Sequence, residues 1–242
     1  MVFVNCDMGE RGPNHPVDLA LMNYIGMANI ACGGHAGDPA SVEAFTRVAR
    51  EKGVKVSAHL SYPDRAGFGR STMTISPSDL VTSLDSQMDL MPAVKTVKLH
   101  GALYNDANVD PRLAATLAAW MRSRGITEVV TVFDSHLAAA ARSEGISVIR
   151  EAFAERRYAY DGVKNQLRLV DRRKAYALIK DRNEAVIQSM TIVNRHRVTA
   201  FVEDAAGRVT TVEVPIEADT LCIHSDSEIA LALARDLASL LR

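Results

Sequence analysis

Short apolar runs alternate with stretches of helical period along most of the chain. The runs are Val2 to Cys6, Asn29 to Cys32, Val54 to Ala58, Val94 to Leu99, Val129 to Phe133, Ile146 to Ile149 and Thr220 to Ile223. Each is short and rich in β-branched or small residues, which suits buried strands. Between them, helix starts carry a repeated device. Asp38-Pro39, Ser76-Pro77 and Asp110-Pro111 each place a side-chain cap before a proline at the first helical position. Val42, Phe45, Val48 and Ala49 then keep a helical period to Lys52, where Gly53 stops it. A helix with Leu80, Leu84, Met88 and Met91 on one face ends at Pro92. Another runs to about Arg124 and closes at Gly125. A short helix between Val17 and Met27 and an alanine-rich one after Ser135 complete the first 150 residues. Strand alternating with helix predicts right-handed βαβ units and parallel strands. About seven such strands predict a (β/α) barrel, distorted or incomplete, rather than an open sheet.

The pattern then changes. Phe153 to Lys180 is rich in arginine and lysine, lacks apolar period, and reads as a long loop. A helix over Asn183 to Ile192 follows. Val198 to Glu203 and Val209 to Val214 alternate about DAAGR and read as a β-hairpin insertion. Ser225 or Asp226 is the expected cap of a last helix running to Leu241. With no linker or repeat, residues 1–242 read as one domain.

Composition narrows the partners. The 242 residues are 48% hydrophobic, enough for a sizeable core, and carry a net charge of −1 without like-charged blocks. This argues against nucleic acid or an anionic membrane as partner. No run is long enough to span a bilayer, and no signal peptide precedes the first strand, so a cytoplasmic protein is expected. Cys6, Cys32 and Cys222 form no CxxC pair and read as buried structural thiols, which fits a reducing compartment. Cys32 and Cys222 each lie close to a histidine, so a thiol nucleophile stays open.

The chemistry gathers where the runs end. The first leads into Asp7, with Glu10 close behind; the others lead into His35, His59, His100 and His224. Polar groups at the C-terminal ends of barrel strands read as one catalytic mouth. His15, His136 and His196 lack this placement and read as structural. Lys98 lies inside a strand, which is costly unless it is paired or faces the mouth. Asp64 and Arg70 flank a glycine-rich loop, where Arg70 could clamp a carboxylate or phosphate. Tyr104 and Asn105, in a turn read from GALYND, could bind a small polar substrate, and Glu151 and His224 join them as substrate-binding groups. No Walker A, GxGxxG, HExxH or GxSxG pattern occurs.

NCDMGE, NIACGGHAGDP, AHLSYPDRAGFGR, KLHGALYN, EAFAERRY and CIHSD follow one another over almost the whole chain. In this order and spacing they resemble the family of 5-oxoprolinase A subunits, also called LamB/YcsF. The resemblance implies a seven-stranded (β/α) barrel. It also implies ATP-dependent opening of 5-oxoproline to glutamate, with ATP as co-substrate carried with Mg²⁺, and with subunits B and C as partners. The groups expected to be catalytic are Asp7, Glu10, His35, His59, Lys98 and His100; for this reaction His59, His35 or Asp7 would supply the base, Lys98 and Arg70 would steady developing charge or a phosphate, and His100, Tyr104 and Asn105 would orient the ring. Against the family pattern, Gly34 replaces a phenylalanine, Leu60 and Leu99 replace prolines, and Ser71 replaces an arginine. Ser225 replaces a glycine and Glu155 an aspartate. Two rival classes stand beside this reading. One is a metal-dependent deacetylase or amidohydrolase with a divalent ion on Asp7, His35 and His59. The other is a non-catalytic subunit that presents a small carboxylate to a partner.

Overall fold

The computed structural model describes residues 2–163, 166–203 and 207–241. Seven parallel strands close into a barrel. They are β1 (Phe3–Met8), β2 (Met27–Ala31), β3 (Lys55–Leu60), β4 (Thr96–Leu99), β5 (Glu128–Thr131), β6 (Ser147–Phe153) and β11 (Thr220–Ile223). The ring order is β1-β11-β6-β5-β4-β3-β2, so the first six strands are laid down in sequence and the last closes the ring. The strand count and direction match the expectation from the apolar runs.

Helices α1 (Pro16–Leu21), α2 (Pro39–Lys52), α3 (Pro77–Met88), α4 (Gly101–Val109), α5 (Pro111–Ser123), α6 (His136–Ser143), α7 (Arg182–Arg195) and α8 (Ala230–Leu240) accompany the strands. The Asp/Ser-Pro device works as the sequence suggests. Asp38, Ser76 and Asp110 accept hydrogen bonds from the N–H groups of Ser41, Asp79 and Arg112. Phe45 of α2, Leu84 of α3, Leu117 of α5 and Leu233 of α8 are fully buried in the apolar core with Met8, Ile30 and Leu60 of the strands. Each such side chain contributes about 1.5–3 kcal/mol of burial. Ser135 caps α6 by accepting from Ala138 N at 3.1 Å. Ser135→Ala is expected to cost about 1 kcal/mol, read as a lower urea midpoint with unchanged slope.

Several expectations are corrected. GALYND is not a turn but the start of α4, whose Ala102, Leu103 and Ala107 are buried. Gly101 opens that helix at φ +57°, where an added Cβ would lie 2.4 Å from the Gly69 carbonyl oxygen. That close approach binds the loop after β3 to the start of α4, with Ala102 N donating to Gly69 O at 2.9 Å. Neither Ser225 nor Asp226 caps the last helix, which begins at Ala230 after Ile229 with no side-chain cap. The short helix after Pro16 ends at Leu21, and β6 runs on to Phe153, which puts Glu151 inside a strand. The segment read as a long loop supplies β7 (Tyr158–Asp161) and β8 (Gln166–Leu169). They join β9 (Arg197–Glu203) and β10 (Val209–Pro215) in a second, four-stranded sheet of order β10-β9-β7-β8. The expected hairpin is thus half of this sheet, held by parallel pairing of Tyr158 with Ala200. Its DAAGR turn falls partly on 204–206, outside the described residues. Among the described residues, no helix is long and apolar enough to cross a membrane.

Candidate functional site

Lys98 sits on β4, yet its Nζ reaches residues of β1, β6 and β11 on the far side of the ring. Only a side chain crossing the barrel interior can do this. Nζ lies 2.9 Å from Asp7 Oδ1, 2.9 Å from Glu151 Oε1, 3.2 Å from Asn5 Oδ1 and 3.1 Å from Cys222 Sγ. Asn29 Nδ2 donates to both Asn5 Oδ1 and Asp7 Oδ1, and Ser57 Oγ donates to Asn29 Oδ1. Asn5 Nδ2 donates to Thr220 Oγ1. The interior of this barrel is therefore a connected polar network where stacked apolar layers are usual. Burial would lower the pKa of Lys98, but the surrounding acids outweigh it and hold the amine protonated well above its ordinary value. Burial likewise opposes the charge on Asp7. His59 and Lys98 win, and its carboxyl stays well below the usual carboxylate range.

Toward the mouth, Asp7 Oδ2 lies 3.3 Å from His59 Nε2. His59 Nε2 is 2.9 Å from His100 Nδ1. The His100 ring stacks on His35 with centroids 3.6 Å apart and planes 3° from parallel. His35 Nε2 meets Glu10 Oε1 at 2.9 Å. His59 and His35 are buried, and Glu10 is the member of this set that reaches toward solvent. Burial, then the His35 and His59 rings, push His100 well below the ordinary histidine pKa. Burial also lowers His35, partly offset by Glu10. The ligating atoms of Glu10, His35, His59 and His100 all lie within 4.8 Å of one another, as do those of Asp7, Cys222 and His224. The expected trio of Asp7, His35 and His59 is thus not the set brought together: Glu10 and His100 stand with the two histidines, and Asp7 flanks them.

The remaining expected residues divide. Tyr104 is buried, its hydroxyl pKa raised by burial and the neighbouring Glu151. His224 stands at the rim, where its backbone N–H and its Nδ1 both meet Glu155 Oε1, at 2.7 and 2.6 Å. Arg70 is exposed over the Phe68 ring at 4.8 Å and approaches Asp226 only to 3.5 Å. Asp64 does not enter the mouth. Its carboxylate accepts from Gly67 N at 2.8 Å and shapes its own loop. Asn105 lies on the exposed face of α4, because the helix turns it away from buried Tyr104. The cysteines are buried and free, and burial pushes Cys32 up to about 12 and Cys222 well above the ordinary thiol value. A thiolate nucleophile is disfavoured at either position.

Asn5, Asn29, Ser57 and Glu155 belong to this assembly and escape a reading based on strand ends. The first three sit inside apolar runs, where a single small polar residue does not break a strand pattern. At Gly34 a Cβ would lie 2.4 Å from Ser61 Oγ and 2.5 Å from Gln87 Oε1. Gln87 fills that space and bonds the Ser61 backbone at both its N–H and its carbonyl.

The LamB/YcsF family matches residues 2–242. The chain belongs to the LamB/YcsF family. Among relatives of this LamB/YcsF chain, a protein from Chloroflexus aggregans, named as the A subunit of 5-oxoprolinase, is 38% identical over 98% of this chain and 93% of its own length. Another of that name from Methylococcus capsulatus is 38% identical over 98% and 90%. One from Clostridium beijerinckii is 33% identical over 98% and 92%. The crystal structure of a lactam utilization protein from Thermus thermophilus superposes with a TM-score of 0.81 and 31% identity, over 99% of this chain and 95% of that one. The LamB/YcsF barrel is thus the architecture of this chain.

Proposed function

We propose that this chain is the A subunit of an ATP-dependent 5-oxoprolinase and opens 5-oxoproline to glutamate together with subunits B and C. The observation that carries the reading is the ionised Asp7 at the foot of a histidine-lined mouth, in a chain whose full-length relatives are named as A subunits of 5-oxoprolinase. A lactam carbonyl is a poor electrophile. Transfer of the γ-phosphoryl group of ATP, carried with Mg²⁺, to the lactam oxygen releases ADP and activates the carbon. Water then adds to that carbon and gives its proton to a base. The C–N bond breaks as the ring nitrogen takes a proton, and a second water converts γ-glutamyl phosphate to glutamate and phosphate.

Of the three candidate bases, Asp7 fits best. Its Oδ1 is held by Asn29 and Lys98, while Oδ2 faces the histidines. Its depressed pKa keeps it in the base form at neutral pH. His35 and His59 are sealed from solvent. Lys98 is too deeply buried to meet a phosphate and acts by holding Asp7 ionised. Arg70, exposed at the rim and held only by a loose 3.5 Å pair with Asp226, would take the substrate carboxylate or a phosphate. Tyr104 is left to orient the ring, since both His100 nitrogens are engaged, by the Phe68 carbonyl and by His59. A cytoplasmic location accords with ATP as co-substrate.

The test is glutamate release from 5-oxoproline and ATP by this chain mixed with the partner subunits of its source. ATP-dependent turnover that vanishes when the chain is left out is the expected result. Well-folded components without turnover would overturn the reading.

A further inference from the structure

Proton accounting at the mouth leaves one position that demands a cation. His59 Nδ1 faces the Lys98 carbonyl oxygen at 3.3 Å, and His100 Nε2 faces the Phe68 carbonyl oxygen at 3.0 Å. A carbonyl only accepts, so the ring protons of the neutral imidazoles sit on those two nitrogens. The other two nitrogens, His59 Nε2 and His100 Nδ1, then point bare lone pairs at each other across 2.9 Å. Something positive must lie between or beside them. A single proton on His59 Nε2 would satisfy that pair and Asp7 Oδ2, 3.3 Å from the same nitrogen, but nothing at Glu10 or His35. A metal ion would also satisfy Glu10 Oε1, which is 3.5 Å from His100 Nδ1 and 4.0 Å from His59 Nε2, and His35 Nε2, 2.9 Å from the same oxygen.

We propose that Glu10, His35, His59 and His100 form a binding site for a divalent transition-metal ion of the Zn²⁺ class. Ligands about 2.0–2.1 Å from a tetrahedral ion stand roughly 3.3–3.4 Å apart. The separations of 2.9, 3.5 and 4.0 Å bracket that figure for Glu10, His59 and His100, whereas His35, stacked parallel to His100, must rotate to turn its lone pair toward the same ion, a motion its unpartnered Nδ1 leaves open. Three imidazoles and one carboxylate suit Zn²⁺ and its neighbours, whereas Mg²⁺ takes oxygen ligands and water. The two carbonyl partners of His59 and His100 are the outer contacts that fix the tautomer and ring plane of metal-bound histidines. The charge balance agrees. Asp7, Glu10, Glu151 and Glu155 crowd the mouth and the barrel below it, and Lys98 is the cation paired with Asp7 and Glu151. The assignment stands whichever substrate the chain acts on.

The experiment is Zn²⁺ titration of the full chain after chelator treatment, by calorimetry and by metal analysis of the desalted protein, with thermal melting alongside. Wild type is expected to take up about one Zn²⁺ per chain and to melt at a higher temperature when loaded. Glu10→Gln and His100→Gln should each weaken binding by about 100-fold or more while keeping the far-ultraviolet spectrum of the parent. Glu10 reaches toward solvent, so its variant is informative even if His100→Gln fails to fold. His224→Gln removes a member of the other cluster and should leave the stoichiometry unchanged. Wild-type protein that binds no Zn²⁺ would overturn the site. Binding lost in His224→Gln but kept in Glu10→Gln would overturn it as well, by moving the ion to Asp7, Cys222 and His224.

Discussion

Asp7→Asn is expected to lower ATP-dependent glutamate release by about 10²–10⁴-fold, the range for loss of a positioned general base. The substitution keeps the volume of the side chain and an oxygen for Lys98 and Asn29 to donate to. It removes the negative charge facing His59. Lys98 keeps Glu151 as a charged partner at 2.9 Å, so the fold should survive. Thermal melting and far-ultraviolet circular dichroism on the same preparation separate lost chemistry from lost structure. The loss should fall on kcat, because Arg70, Tyr104 and the rim that would hold the substrate are untouched. A folded Asp7→Asn protein with parental kcat would remove Asp7 as the base and leave Glu10, the other carboxylate at the histidine cluster.

The barrel was legible because its signals are local and repeated. A cap residue followed by proline marks a helix start wherever it occurs, and short β-branched runs mark strands whose two faces are both buried. The second sheet was not legible. Tyr158–Asp161 and Gln166–Leu169 are short; they pair with each other, and β7 is anchored on β9, some forty residues later in the chain. Nothing in their own sequence announces that partner. Helix α4 was hidden by composition, since Gly, Asn and Asp favour turns, and its helical state comes from packing Ala102, Leu103 and Ala107 into the core. Asp7, His35, His59 and His100 could be found because a charged or titratable residue ending an apolar run is costly without a purpose. Asp64 and Asn105 show the limit of that logic. They lie in sequence beside site residues, but a loop turn and a helical rotation direct them elsewhere. Lys98 was noticed for its cost inside a strand; the structure puts its amine between Asp7 and Glu151, and the role we propose for it is to balance those carboxylates.

That role leads to the second large effect. Lys98→Met is expected to destabilise the protein by about 3–5 kcal/mol, the cost of leaving a buried charge without its partner. Methionine approximates the volume and flexibility of the lysine stem, so cavity formation is not the main term. What is lost is the cation between Asp7 and Glu151, two carboxylates that are almost completely buried. The pairing makes a sharper claim than the single variant. Glu151→Gln alone should cost less, because Lys98 still has Asp7. In the Lys98→Met background, the same Glu151→Gln change removes an uncompensated charge and should restore stability. The two effects must therefore be non-additive, with a coupling of about 1–3 kcal/mol in a double-mutant cycle measured by urea unfolding. Additive effects would mean that the amine and the carboxylate do not sense each other across the barrel. Turnover should fall in Lys98→Met even at temperatures where the protein is folded, since Asp7 loses one of the two groups, with His59, that keep it ionised. Restored stability without restored turnover in the double variant would then separate the two tasks of Lys98, balancing buried charge and holding Asp7 as a base.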